Sequence, residues 1–137
     1  MSTQKGDAAK FTGDVWVDLI APPEAGISAG IVRFAPNART AWHSHALGQT
    51  LHVTDGIAIV HIEGENPVLV TAGTTHFTPA GVRHWHGATP DRFMAHVAIA
   101  AMAPDEATVD WQERVDDNAY LASVELGRAA EYPPARD

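Results

Sequence analysis

The sequence predicts an all-β sandwich or barrel followed by a short helical or irregular C-terminal extension. Three observations carry that expectation. Seven short apolar runs recur over residues 14–20, 28–34, 49–54, 57–62, 67–71, 75–78 and 93–100. Breakers separate them: Ala35-Pro-Asn-Ala38, Thr54-Asp-Gly56, Glu63-Gly-Glu-Asn-Pro67 and Thr71-Ala-Gly73. Short strands at this spacing read as a sandwich or barrel, not as alternating strands and helices. Only residues 109–130 have helix-like content, where Val109, Trp111, Val115 and Tyr120 give one apolar side.

In chain order, residues 1–10 are polar and expected to be a flexible N-terminus, and residues 11–103 supply the β domain. In the 28–34 run, Gly30, Val32 and Phe34 share one face, and Ala29, Ile31 and Arg33 share the other. Arg33 prefers solvent, so the Gly30 face is expected inward, where small residues leave room for a pocket. In the 49–54 run, Gln49 and Leu51 share a face and His52 alternates away from them. In the 93–100 run, His96 shares parity with Met94 and Ala98. Residues 104–137 form the extension, and Glu131-Tyr-Pro-Pro-Ala-Arg-Asp137 ends the order.

Length and charge narrow the function. A chain of 137 residues fits one domain, and 45% hydrophobic content is enough to bury a core. A net charge of −8 argues against nucleic acid and anionic membranes as partners. The chain has no cysteine, which excludes disulfides, thiolate ligands and a cysteine nucleophile. No stretch resembles a signal peptide or a membrane span, so a cytoplasmic location and no membrane partner are expected. No Ser lies in a Gly-x-Ser-x-Gly context, so a serine hydrolase is poorly supported.

The informative cluster is His43-Ser-His-Ala-Leu-Gly-Gln49, with His84 downstream in Pro79-Ala-Gly-Val-Arg-His84. Imidazoles two apart on an extended strand point the same way. A third imidazole and an amide oxygen can converge with them on one metal ion.

These residues fall into two spaced motifs. The first reads Asn37-x5-His43-x-His45-x3-Gln49-x6-Gly56, and the second reads Gly73-x5-Pro79-x-Gly81-x2-His84-x3-Ala88. The chain thereby resembles the cupin superfamily, with Asn37 in place of a Gly, Gln49 in place of a Glu and Ala88 in place of an Asn. The resemblance implies a cupin jelly-roll β-barrel, one divalent metal ion per subunit and a homodimer or homotetramer. Further runs, Ala38-Arg-Thr-Ala-Trp-His43, Leu47-Gly-Gln-Thr-Leu51, His84-Trp-His-Gly-Ala88 and Val109-Asp-Trp111, look like a subgroup of small bacterial cupins. That subgroup includes manganese-dependent hydroxynitrile lyases, which split cyanohydrins into an aldehyde and cyanide. The resemblance implies His43, His45, Gln49 and His84 as metal ligands and His96 as the catalytic base. Strand parity puts Gly30 and Val32 at the expected pocket, together with Thr40 and Ala100, and Ala100 stands where the resembling lyases carry Gln.

Three imidazoles and a neutral amide add no negative charge, so a divalent ion among them keeps a site charge near about +2 and stays a strong Lewis acid. The ligand set suits Mn2+ first, as the resemblance implies, then Fe2+, with Zn2+, Ni2+ and Co2+ also compatible. A lone His in an apolar strand is more often a core residue, yet a neutral imidazole beside a cation has a depressed pKa and can act as a base. His86 follows His84 by two and is expected behind the ligands, while His52 is expected at the surface and His61 and His76 receive no role. The partner is a small-molecule substrate. The leading reaction is cyanohydrin cleavage or formation. The alternatives are an Fe or Mn dioxygenase acting on a diketone or enediol and a non-catalytic small-molecule-binding cupin.

Overall fold

Residues 3–103 and 108–131 are described by the computed structural model. Among the described residues, thirteen strands form two sheets, and one helix follows them. In chain order the strands are β1 (Gln4–Lys5), β2 (Phe11–Thr12), β3 (Val15–Leu19), β4 (Ile27–Phe34), β5 (Arg39–Thr40), β6 (His43–His45), β7 (Gln49–Asp55), β8 (Ile57–Ile62), β9 (Val68–Thr71), β10 (Thr75–Thr78), β11 (His84–Ala88), β12 (Met94–Ala101) and β13 (Val109–Trp111). A 3-10 turn covers Pro23–Ala25, and α1 spans Asp117–Glu131.

The first sheet has the order β1-β3-β4-β12-β7-β10. The second runs β13-β6-β11-β5-β2, with β8 beside β11 and β9 beside β8. All pairings are antiparallel. Alternation decides what faces inward. Val15, Val32, Phe34, Leu51, Val53, Val60 and Met94 pack between the sheets as the main core. This is the predicted parity for Val32 and Phe34, with Arg33 turned out to Asp18 at 2.6 Å.

A second cluster lies on the other face of the second sheet. Ile59 and Trp85 there pack against Val115, Tyr120 and Val124. The helix starts because Asp116 caps it: Ala119 N–H donates to Asp116 Oδ1 at 2.8 Å. Buried Arg39 fixes the approach. Its guanidinium donates to the Val115 carbonyl and to Asp117, and stacks 4.5 Å from the Tyr120 ring centroid. Tyr120 O–H donates to the Ala88 carbonyl. That burial pushes the phenol up to about 12.

Three expectations need correction. Val109 and Trp111 do not sit on a helix; Val109–Trp111 is strand β13, paired with β6. Apolar-polar-apolar over three residues is a strand's alternation, and the helix begins only after the Asp116 cap. The N-terminus expected to be flexible contributes β1, in register Gln4 with Val17 and Lys5 with Trp16. Strand β11 was not expected. All five of its residues are buried, so it lacks the alternation that marks a half-exposed strand. The 103/104 boundary adjoins residues 104–107, and the tail from 132 onward is outside the described residues as well. Among the described residues no helix is long and apolar enough to cross a membrane.

Candidate metal centre and active site

His43 and His45 leave β6 on the same inward face, two residues apart. β11 lies beside β6, with His84 directly opposite His43. The result is three buried imidazoles, each offering one nitrogen, with those nitrogens all within 4.8 Å of one another. Gln49 opens β7, and its side-chain oxygen lies 3.4 Å from His84 Nε2. Thus the four sequence-predicted ligands converge from three strands.

The hydrogen bonds around the rings set their tautomers. His43 Nδ1 faces the Ala41 carbonyl at 2.8 Å, and His84 Nδ1 faces the Val82 carbonyl at 3.1 Å. A carbonyl only accepts, so each Nδ1 carries the proton and each Nε2 keeps its lone pair. Both His45 ring nitrogens are buried without a hydrogen-bond partner. Orphaned buried nitrogens beside two aligned lone pairs and an amide oxygen fit a divalent cation.

Electrostatics agree. Burial, and secondarily His84, holds the His43 pKa well below the ordinary imidazole range. Burial lowers His45 and His84 to about 4 each; the Gln49 amide opposes the shift at His45. All three are neutral at pH 7 and can ligate without losing a proton. The linkage has a definite sign. Between the ordinary value of 6.5 and about 4, the unfolded chain binds these protons and the folded chain does not. The metal-free protein should therefore have a flat Tm above pH 7 and a falling Tm as the pH drops from 6.5 to 4. Constant Tm through that window in thermal melts would contradict neutral burial.

A cavity of about 150 Å³ sits beside the triad. It is lined by His43, His45, Gln49, His86 and His96, together with Val32 and Thr40. Phe11, Val17, Ser28, Ala98, Val109 and Trp111 complete it. None of these side chains is anionic, so nothing in the cavity wall offsets a bound cation's charge. A cavity of roughly 150 Å³ is large enough for a benzene-sized guest. Trp111 lies stacked on His43 at 4.6 Å, because β13 pairs Trp111 with His43 and Val109 with His45.

His96 and His86 form a hydrogen-bonded pair within this wall. His96 Nε2 lies 3.1 Å from His86 Nδ1. The outer nitrogens, His96 Nδ1 and His86 Nε2, are buried and unpartnered. Whichever ring holds the shared proton, the pair presents one acceptor and one donor. Burial lowers His96 to about 4, and burial followed by His96 holds His86 well below its usual range. Thr40 Oγ1 accepts from His86 N–H at 3.2 Å, which fixes the backbone that carries this ring.

Two expected pocket residues, Ala100 and Gly30, are not among the residues that line this cavity. Ala100 shares the face of β12 that carries His96 and Ala98 and lies opposite Ser28; Ala98 and Ser28 are the ones that line the cavity. Gly30 has no side chain to present; a Cβ there would meet Leu19 and Val17 at 3.7 and 3.8 Å, on the inward face of the sheet. Sequence reasoning also missed Phe11, Val17, Ser28 and Trp111 as lining residues. The alternation in Val109-Asp-Trp111 was the available signal for the last. His52 is at the surface, bonded to Thr75 at 2.9 Å. His61 Nε2 faces the Glu65 carbonyl and its Nδ1 meets the Ser123 hydroxyl on α1, so it ties the helix to β8.

Gln49 depends on the residue before it. Gly48 has φ +85°, and a Cβ there would come within 2.9 Å of the Thr78 carbonyl. Gly48→Ala should cost about 1–3 kcal/mol through backbone strain. It should also weaken metal affinity by displacing Gln49. Denaturant unfolding with metal titration checks both, and wild-type values for each would refute the positional role. Asn37 tolerates its φ of +72° because Asn is among the residues enriched in the left-handed region.

Comparison with known proteins places this geometry. A family profile described as a cupin domain matches residues 30–99. The chain is 43% identical over 118 residues to an (R)-mandelonitrile lyase of Granulicella tundricola, covering 85% of this chain and 89% of the relative. It superposes on a solved cupin-like protein from Thermotoga maritima with TM-score 0.83 and 34% identity, covering 88% of this chain and 92% of that one. A cupin conserved-barrel protein from Rhodopseudomonas palustris has TM-score 0.68 at 20% identity, covering 96% and 88%, and shares the fold.

Proposed function

This chain belongs to the cupin family, and on that premise we propose that it is a metal-dependent lyase that cleaves or forms cyanohydrins. The observation that carries the reading is the juxtaposition of two groups in one uncharged cavity: the His43, His45, His84 and Gln49 cluster, and the His96–His86 pair. The similarity to a protein named as a mandelonitrile lyase supports the same chemistry.

His43, His45 and His84, with Gln49, would hold the divalent ion. When bound, the ion supplies Lewis acidity and a positive counter-charge for an anion in the cavity; manganese is proposed first and iron second. The side chains do the rest. Phe11, Val17 and Trp111 offer apolar wall to the organic part of the substrate. The depressed pKa of His96 keeps its ring neutral at pH 7; when its Nε2–H donates to His86 Nδ1, its Nδ1 is the free proton acceptor. The substrate hydroxyl gives its proton to that nitrogen, and its oxygen lone pair becomes the second bond of the carbonyl. The C–CN bond breaks, and its electron pair leaves with cyanide. Return of one proton to cyanide gives HCN and restores the histidine pair.

The test is release of benzaldehyde and cyanide from mandelonitrile by protein reconstituted with Mn(II). Equimolar aldehyde and cyanide without oxygen uptake are expected. Oxygen uptake on 1,3-diketones without cyanide release would replace the lyase reading with a dioxygenase one. Silence on both substrates would leave a binding protein.

A further inference from the structure

The inner cavity is not the end of the barrel's interior. Val17 and Leu19 follow each other on the inward face of β3, in register with Val32 and Gly30. Leu19 is nevertheless 53% exposed. An inward-facing leucine that is half exposed marks the open mouth of the barrel. A second chamber of about 450 Å³ lies there, walled by Leu19, Gln4, Lys5, Asp7 and Lys10. It shares Phe11 and Val17 with the inner cavity, so the two adjoin at those side chains.

Charge in the outer chamber is uneven. Lys5 is held by Asp14 at 3.1 Å. Asp7 Oδ1 accepts from Ala9 N–H at 2.9 Å. Among the described residues, no carboxylate pairs with Lys10. Its ammonium lies 5.7 Å from the centroid of Trp111, which itself lines the inner cavity. The unpaired cation therefore stands where one chamber meets the other.

We propose that the outer chamber is a second substrate subsite that takes the anionic far end of the substrate, a carboxylate, with Lys10 as its counter-charge. The proposal rests on the reading above that the inner cavity takes the reacting end. A substrate long enough to pass Phe11 and Val17, the side chains common to both chambers, lays its organic middle against them and its carboxylate at Lys10 and the Gln4 amide. The substrate class is thereby narrowed from cyanohydrins in general to those with a carboxylate on the side away from the reacting carbon.

The test uses unreactive probes, so it does not require turnover. Benzyl alcohol and 4-carboxybenzyl alcohol are titrated by calorimetry into the full chain, with and without one equivalent of Mn(II). The wild type should bind the carboxylate probe about fivefold more tightly at low salt, the range of an exposed ion pair. Added salt should shrink the preference. Lys10→Ala should erase the preference and Lys10→Glu reverse it, with benzyl alcohol affinity alike in all three. An equal preference in Lys10→Ala would overturn the proposal, as when the carboxylate goes to the metal centre instead. No preference in the wild type would overturn it too. Loss of cyanohydrin cleavage with an intact Lys10-dependent preference would sink the lyase reading and leave the subsite standing.

Discussion

His96→Ala is expected to lower mandelonitrile cleavage by about 100-fold or more, the range a positioned general base supplies. Metal content should stay at the wild-type level. The reasoning is geometric. His96 comes from β12, whereas the triad comes from β6 and β11, and among the described residues its side-chain hydrogen bond goes to His86 and not to a triad ring. Removing its ring deletes the unpartnered Nδ1 and orphans His86 Nδ1, but takes nothing from the ligand nitrogens. His96 is fully buried, so the substitution also leaves a cavity and some loss of stability. Circular dichroism and elemental analysis therefore accompany the rate. Partial recovery by added imidazole, which fits the vacated space, would separate lost chemistry from lost structure. Unchanged turnover in a folded, metal-loaded variant removes the role assigned to His96.

Stripping the metal should be the other large effect. Three buried neutral imidazoles, two of them oriented by carbonyls, form a preorganised site. Chelation is expected to abolish cleavage, and adding Mn(II) should restore it. The folded state alone presents this arrangement, so binding also stabilises it. At a metal concentration of ~100 Kd, the gain is about 2.7 kcal/mol, or roughly 8 °C in Tm for a domain of this size. His84→Ala should lose both responses, because it removes the ring that sits opposite His43 and beside Gln49. Chelated and loaded samples with the same Tm and the same rate would end the metal-dependent reading. Titration of the stripped protein with Mn(II), Fe(II) and Zn(II), read by Tm, ranks the ions independently of activity.

The legible parts of the sequence are those where local chemistry repeats. Alternating runs bounded by Gly, Pro, Asn and Asp marked β3, β4, β7, β8, β9, β10 and β12 to within a residue or so. Spacing alone put His43 and His45 on one face. The outward turn of Arg33 followed from its charge. These need only strand periodicity and side-chain polarity.

Other features were invisible because they are relations between distant segments. β11 is buried throughout, so burial erased the pattern that would have announced it. Val109 and Trp111 joined the cavity wall only because β13 pairs with β6. The hydrogen bond between His86 and His96 joins residues ten apart on strands of different sheets. Ser28 and Ala98 line the cavity across the β4–β12 pairing, and the N-terminal segment walls the barrel's mouth. The sequence by itself determined the strand chemistry, the absence of thiol chemistry and the candidate ligand types. Which side chains meet, and how far the pocket reaches, only the closed pair of sheets decided. Periodicity is a property of neighbours along the chain, whereas proximity across a barrel depends on register, and register is fixed by the packing of the whole.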